Sequence, residues 1–186
     1  VGNSSWTFSG NVAQNFDNHI SKSVPYYNWS HQLGLNISDF FLKNNSNVYD
    51  IGCSTGSFLS LLSKRHPKKN IKYYGIDEIK NMIIWAKKKN KDKKINFLNK
   101  NIIENKLKKS EFITSFYTMQ FIPPAKRQII FNKIFKSLNW GGGFLLFEKV
   151  RAPDARFQDM MSLIYNDYKL DQGYNAKEII EKSFLK

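Results

Sequence analysis

The stretch Val48-Tyr-Asp-Ile-Gly-Cys-Ser-Thr-Gly56 decides the fold of this chain. It has the pattern of a buried strand that ends near Asp50, a turn that contains Gly52 and Gly56, and the beginning of an amphipathic helix. Open α/β sheets bind ligands at such a turn, on the carboxyl edge of the sheet. The stretch contains neither the dinucleotide pattern G-x-G-x-x-G nor the phosphate-loop ending G-K-[ST]. It therefore predicts a ligand loop of another kind, with an ordinary glycine turn after a buried strand as the alternative.

Strand and helix patterns alternate on both sides of this stretch. Strands are predicted at residues 47–51, 72–76, 95–98, 112–117 and 144–147. Helices are predicted at residues 12–21, 29–42, 57–65, 80–89, 126–138, 154–170 and 177–184. This alternation predicts an α/β fold with a mainly parallel, doubly wound sheet that carries helices on both faces.

The patterns also predict how the chain is organised. We expect residues 1–46 to form an N-terminal helical cap that belongs to the same domain as residues 47–186, which contain the ligand loop. No segment after Lys149 has a strand pattern, so we expect the C-terminal strands of such a sheet to be missing. The last edge would then be open or covered by a partner, which makes a homodimer plausible.

Composition excludes several classes of protein. The 186 residues include 29 Lys and Arg against 15 Asp and Glu, for a net charge of +14. A hydrophobic share of 41% excludes a disordered chain, and a single cysteine excludes a disulfide scaffold. We expect a cytoplasmic protein, because there is no apolar run of roughly 20 residues and no signal-peptide layout at residues 1–8. The basic run 87–94 is expected to be a solvated turn, so direct nucleic-acid binding is not expected.

Two acidic residues follow the second predicted strand. Asp77 and Glu78 stand at its carboxyl end, so they lie on the same edge of the sheet as the glycine turn. A carboxylate in that place can accept two hydrogen bonds from ribose hydroxyls. The two strands together therefore favour a ligand that carries a ribose.

The spacing D-x-G-x-x-x-G of Asp50, Gly52 and Gly56 resembles the first motif of the class I methyltransferases that use S-adenosylmethionine (SAM). The resemblance implies a Rossmann-like fold, with SAM or S-adenosylhomocysteine held by the acid and the glycine loop. That family usually has an acid after the third strand, facing the adenine amine. Asn101 stands there in this chain, and its amide oxygen can accept the same N–H. Met82 could line the adenine, with core packing as an equally weighted alternative.

Longer motifs resemble the carboxy-S-adenosylmethionine synthase family of the tRNA wobble-uridine pathway. The segments that carry the resemblance are Trp6-Thr-Phe8, Ser23-Val-Pro-Tyr-Tyr27, Tyr49-Asp-Ile-Gly-Cys-Ser54, Tyr117-Thr-Met-Gln-Phe121 and Gly173-Tyr174. The glycine loop and this resemblance together assign the cofactor to Tyr27, Asp50, Gly52, Cys53, Ser54, Gly56, Asp77, Glu78, Met82, Asn101, Ile102, Phe116 and Tyr117.

Two positions depart from the synthase family. Phe116 stands where that family has Asn, and Ser183 stands where it has an Arg that binds the extra carboxylate. Lys182 could supply a point charge there but not a bidentate fork. We therefore expect SAM-dependent methyl transfer to a small-molecule acceptor. The alternatives are carboxy-SAM synthesis from SAM and prephenate, and a non-catalytic basic module that binds nucleic acid.

Methyl transfer is an in-line displacement in which the protein aligns the nucleophile and excludes water. A base within hydrogen-bond reach of the acceptor would help, and Tyr27, His31, Tyr117 and Glu148 are candidates near the expected pocket. Arg151 could offer a cation to an anionic substrate, with a solvated loop as the alternative. His31 has no Cys, His or acid partner at ligand spacing, so we expect no metal site.

Overall fold

The computed structural model describes residues 12–184, with side chains from Ala13 to Ile180. Its helices are α1 (Val12–Ser23), α2 (Tyr27–Phe41), α3 (Ser57–Arg65), α4 (Lys80–Lys89), α5 (Pro124–Ser137), α6 (Ala155–Asp171) and α7 (Ala176–Phe184), with a 3-10 turn at Met119–Phe121. Its strands are β1 (Asn47–Ile51), β2 (Lys72–Asp77), β3 (Ile95–Asn99), β4 (Ser110–Phe116) and β5 (Leu138–Phe147). The motif Trp6-Thr-Phe8 lies outside the described residues.

The five strands form one parallel sheet in the order β3-β2-β1-β4-β5, which confirms the predicted α/β fold. Strand β1 lies at the centre, where Tyr49 is paired with Tyr74 of β2 on one side and with Ile113 of β4 on the other. The chain runs outward to β2 and β3 and then returns to β4. Because the strand order reverses between β1 and β4, a crevice opens there at the carboxyl ends of the strands.

Hydrophobic side chains pack on both faces of the sheet. Neighbouring residues of a strand point to opposite faces, so Val48 and Tyr49 belong to different cores. Val48 packs in the core that α2, α3 and α4 cover, and Tyr49 packs in the core that α5 covers. A third, smaller cluster joins Ala13 and Phe16 of α1 to Met82 of α4. This cluster attaches the N-terminal helix to α4, which itself packs on the sheet.

Helix α2 packs close to the sheet because Gly34 has no side chain. A Cβ at Gly34 would lie 3.0 Å from the Phe58 ring and 3.1 Å from the Phe116 ring. The helix therefore approaches the carboxyl ends of β4 and β5 more closely than a larger residue would permit.

Strand β5 begins earlier than the sequence indicated. The predicted strand started at residue 144, after three glycines, whereas the observed strand starts at Leu138 and includes them. Pairing with β4 accounts for the difference, since Ser110 is paired with Leu138 and Phe112 with Gly143 across a β-bulge. A Cβ at Gly143 would lie 2.6 Å from the Phe41 ring, so the glycine makes room for that ring.

The outer edge of β5 has no strand partner within residues 12–184, and no strand follows Phe147 in that range. Helices α6 and α7 follow β5 and contact each other. None of the helices in the described part of the chain is long and apolar enough to cross a membrane.

Two neighbouring residues of α5 give a test of the core. Ile130 is 0% exposed and Ile129 is 50% exposed. Replacing Ile130 with Ala leaves a cavity, so we expect a loss of about 2–5 kcal/mol in the free energy of unfolding. Ile129→Ala should cost less than about 1 kcal/mol, because little apolar surface is lost from the core. Urea denaturation followed by circular dichroism measures both, and equal losses would contradict the placement of α5.

Candidate functional site

The turn after β1 is held against β2 by backbone hydrogen bonds. The N–H groups of Gly52 and Cys53 both donate to the carbonyl of Ile76, at 2.8 and 3.1 Å. Gly52 has a φ of +75°, and a Cβ there would overlap the Thr118 side chain. Gly56, at φ +73°, lies directly before α3. Both glycines are therefore required by the backbone of the turn.

Asp77 links the end of β2 to the same turn. One of its carboxylate oxygens accepts a hydrogen bond from the Ser54 N–H at 2.9 Å, and the other accepts from the Ile79 N–H at 2.8 Å. Burial raises the pKa of Asp77, and the two backbone N–H groups oppose the rise. The sequence predicts that this carboxylate binds ribose, and the structure adds an anchoring role in the turn.

Glu78 and Asn101 meet at the ends of β2 and β3. The Asn101 side-chain amide donates to a Glu78 carboxylate oxygen at 3.0 Å, and its oxygen accepts from the Ile103 N–H at 2.8 Å. Glu78 is exposed. Its carboxylate is therefore oriented by Asn101 and open toward a ligand, while the Asn101 oxygen keeps a second lone pair.

Lys133 of α5 holds the loop that follows β3. Its ammonium group donates to the carbonyls of Ile102 and Asn105, both at 2.8 Å, and to the carbonyl of Ile103. Three carbonyls around one cation fix the backbone of the loop that carries Asn101 and Ile102.

Asp50 is a buried acid at the end of β1, with only 3% of its surface exposed. The Thr114 hydroxyl donates to its carboxylate at 2.8 Å. Burial raises the pKa of Asp50 to about 7, and the charge of Asp77 adds to the rise. The acid therefore exchanges its proton near neutral pH.

Aromatic rings gather where α2 crosses the ends of β4 and β5. The His31 ring lies 4.4 Å from the Tyr27 ring and 4.8 Å from the Phe116 ring, measured between centroids. Tyr117 lies 6.0 Å from Tyr27, and Phe58 lies 5.4 Å from His31. The structure thus brings together Tyr27, His31 and Tyr117, three of the four candidate bases predicted from the sequence.

Burial shifts the pKa values of Tyr27 and His31 in opposite directions. Desolvation is the largest cause that raises the pKa of Tyr27 far above its usual range, so its phenol stays protonated and can donate a hydrogen bond. Desolvation also lowers the pKa of His31 to about 4, so its imidazole is neutral at pH 7. Among the described residues, no hydrogen bond involves the His31 ring, although only 5% of its surface is exposed. Of the two, only His31 can act as a base at neutral pH.

Several predicted residues lie apart from this pocket or are engaged in packing. Met82 of α4 is buried against Ala13 and Phe16 of α1, which fits its alternative as a core residue. Burial raises the pKa of the Cys53 thiol, which therefore stays protonated. Arg151 is exposed in the segment that follows β5. The side chains of Lys182 and Ser183 lie outside the described residues.

Two residues that bear on the site were missed from the sequence. Asp17 of α1 accepts hydrogen bonds from Thr55 in the glycine turn, at 2.5 Å, and from Ser57 at the start of α3, at 2.9 Å. Lys133 contacts a loop that lies 28 to 31 residues away in sequence. No local pattern indicates either contact, because helix and loop are brought together only by the folded sheet.

The residues present fit SAM. Glu78 offers an exposed carboxylate for the ribose, and apolar Ile102 lies next to Asn101, where an adenine is expected. Asp50 and Asp77 place acidic groups beside the glycine turn, as suits a cofactor that carries a sulfonium and an amine. A turn without a phosphate-binding pattern suits a cofactor without phosphates.

The raised pKa of Asp50 predicts how stability changes with pH. Between pH 4 and 7 the folded protein holds a proton that the unfolded chain has lost, so this group lowers stability as pH rises and has no further effect above about pH 7. Asp50→Asn removes this effect. As pH rises from 4 to 7, the free energy of unfolding of the variant should therefore increase relative to that of the wild type by up to about 4 kcal/mol.

Chemical denaturation at several pH values measures this gain. Asp39→Asn is a control for which the change in stability should have the opposite sign. The hydrogen bond from Arg65 lowers the pKa of Asp39, so this variant should be less stable than the wild type above pH 4. A difference between Asp50→Asn and wild type that does not vary with pH would contradict the raised pKa.

Comparison with known proteins agrees with this geometry. The sequence model of a family described as "Methyltransferase domain" matches residues 48–142. A carboxy-S-adenosyl-L-methionine synthase from Staphylococcus epidermidis is 37% identical over 179 residues, which are 96% of this chain and 78% of that protein. The enzyme of the same name from Campylobacter lari is 37% identical over 177 residues, which are 94% of this chain and 75% of that protein.

Solved structures share the fold. A TehB-like SAM-dependent methyltransferase from Corynebacterium glutamicum superposes with a TM-score of 0.58 at 16% identity, over 92% of this chain and 78% of that one. The plantazolicin methyltransferase BpumL, solved with S-adenosylhomocysteine, gives a TM-score of 0.56 at 20% identity, over 73% of this chain and 52% of that one. From the family match and the relatives, this chain is a SAM-dependent transferase that belongs to the methyltransferase-domain family and, within it, to the carboxy-S-adenosyl-L-methionine synthase family.

Proposed function

We propose that this chain transfers the methyl group of SAM to a small-molecule acceptor that binds beside His31. The observation that carries the proposal is the buried, neutral His31 imidazole, which has no hydrogen-bond partner among residues 13–180. Among the described residues, the Tyr73 hydroxyl is the one fully buried side-chain polar atom without a hydrogen-bond partner, so the His31 ring nitrogens remain accessible to an acceptor in the crevice. An acceptor hydroxyl or amine would supply the missing partner.

Each side of the pocket has a separate task in this proposal. Bound SAM supplies a methyl group activated by its sulfonium. The glycine turn at Gly52, the carboxylate of Glu78 and the loop at Asn101 hold the cofactor. His31 accepts the proton of the acceptor, and the Tyr27 phenol donates a hydrogen bond that orients it. The Phe58 and Phe116 rings exclude water around His31.

Carboxy-SAM synthesis is the second candidate, because relatives at 37% identity bear that name. The departures at Phe116 and Ser183 count against it. Phe116 packs 4.7 Å from Phe58 and 5.4 Å from Phe147, between ring centroids, so an apolar ring occupies the position that is Asn in the synthase family. A carboxylate would gain no hydrogen bond from Phe116.

We also propose that the protein is cytoplasmic and forms a homodimer. A cytoplasmic location is supported by the use of SAM, which is an intracellular cofactor. A homodimer is supported by the outer edge of β5, which has no strand partner in the described part of the chain, and by exposed apolar residues of α6, among them Leu163 and Ile164. We do not assign nucleic acid as a direct partner, since acids and amides surround the glycine turn.

Mass spectrometry of reaction products tests the proposed function. The purified protein is incubated with SAM and a panel of hydroxyl and amine acceptors, and in a parallel reaction with SAM and prephenate. We expect S-adenosylhomocysteine and a methylated acceptor in the first reaction. A carboxylated SAM in the second reaction, with no methylated product in the first, would establish the alternative.

The role of His31 predicts a specific kinetic defect. His31→Asn should lower kcat by about 100-fold or more, as loss of a general base does, while SAM affinity changes little. Between pH 6 and 8 the pH dependence of kcat should be the same in His31→Asn and in the wild type, because His31 titrates near pH 4 and stays neutral in that range. His66→Asn is the matched control: His66 is also buried, but it bonds Ser38 at 2.9 Å, away from the pocket. Equal kcat in His31→Asn and wild type would contradict a base at His31.

A further inference from the structure

Helix α1 is joined to the glycine turn by a polar cluster that the proposed chemistry does not use. We call Asp17, Thr55, Ser57 and Lys89 the α1 clamp. One Asp17 oxygen accepts from the Thr55 hydroxyl at 2.5 Å and from the Ser57 hydroxyl at 2.9 Å, and the other pairs with the Lys89 ammonium. Lys89 also donates to the Ser57 hydroxyl at 2.8 Å. The clamp thus connects α1, the glycine turn, α3 and α4.

Thr55 is the residue through which the clamp contacts the glycine turn. Thr55 lies inside the turn, between Gly52 and Gly56, and is 1% exposed. Its carbonyl accepts from the Asn90 side-chain amide at 3.1 Å, so its backbone and its side chain are both held. The other side of the turn is fixed by the bond from Ser54 to Asp77. Asp17 is therefore the contact that ties the turn to the N-terminal helix.

The charge of Asp17 is maintained by the same contacts. Burial alone would raise the pKa of its carboxyl, but hydrogen bonds from Lys89, Thr55 and Ser57 outweigh burial and lower the pKa below its ordinary value. The carboxylate is thus ionised at any pH where the protein would work. Hydrogen bonds from hydroxyls to an ionised carboxylate are stronger than those between neutral groups.

We propose that Asp17 is a positioning residue that holds the glycine turn, through Thr55 and Ser57, in the conformation that receives SAM. An exposed ion pair contributes little to global stability, and the Asp17–Lys89 pair is partly exposed. The effect of the clamp falls instead on the turn. If the turn populates its binding conformation only in part, the apparent affinity for SAM falls by that fraction. This inference depends on SAM as cofactor and not on the identity of the acceptor.

Isothermal titration calorimetry with SAM and with S-adenosylhomocysteine tests the inference on the full chain. Asp17→Asn removes the carboxylate charge that strengthens these hydrogen bonds and pairs with Lys89, and Thr55→Val removes the hydroxyl that donates to it; both should weaken binding about tenfold. Thr55→Ser restores the hydroxyl and should restore affinity to within about threefold of wild type. Asp39→Asn is the matched control, because it removes a surface aspartate that accepts two hydrogen bonds from Arg65, at 2.9 and 2.5 Å, on α2.

Thermal unfolding without ligand separates positioning from stability. We expect Asp17→Asn and Asp39→Asn to lower Tm by similar amounts, with only the former losing SAM affinity. In kinetic assays the loss in Thr55→Val, which keeps the Asp17 charge that acts on Tyr27 and His31, should appear in KM for SAM, with kcat within about threefold of wild type. Unchanged SAM affinity in both Asp17→Asn and Thr55→Val would overturn the inference. SAM binding that depends on the clamp, in a protein that methylates no acceptor, would overturn the proposed function alone.

Discussion

The Ile76 carbonyl is the point on which the site depends. It accepts the N–H groups of Gly52 and Cys53, so the turn after β1 is bound to the end of β2 rather than only to its own strand. Asp77, the next residue, extends the same attachment through Ser54. The conformation of the turn is thus determined by the register between two central strands, and a shift in that register would move every group of the site.

The sequence predicts the sheet well because hydrophobic periodicity is a local property. Strand β1 and helices α3 and α4 were predicted with their observed bounds. Strand β5 was predicted too short, since glycine-rich segments have a weak strand pattern and only pairing with β4 extends this one.

Residue types at the ends of strands can be predicted, but their partners cannot. Asp77 was identified as a site residue from its place after β2, yet its bond to the Ser54 N–H depends on how the turn folds back. The bond between Asp17 and Thr55 joins residues 38 positions apart in sequence. No periodic pattern records such a contact. The cofactor edge therefore follows from the sequence, whereas the arrangement of groups around it requires the packed structure.

The proton on Asp50 couples the site to its solvent. With a pKa of about 7, this buried acid is protonated in about half of the molecules at neutral pH. A cation that enters nearby would favour the ionised form, so its arrival would release a proton from Asp50. The heat of binding would then include the ionisation heat of the buffer. Binding in the crevice could in this way be detected as the release of a proton from the buried Asp50 carboxyl group to the solvent.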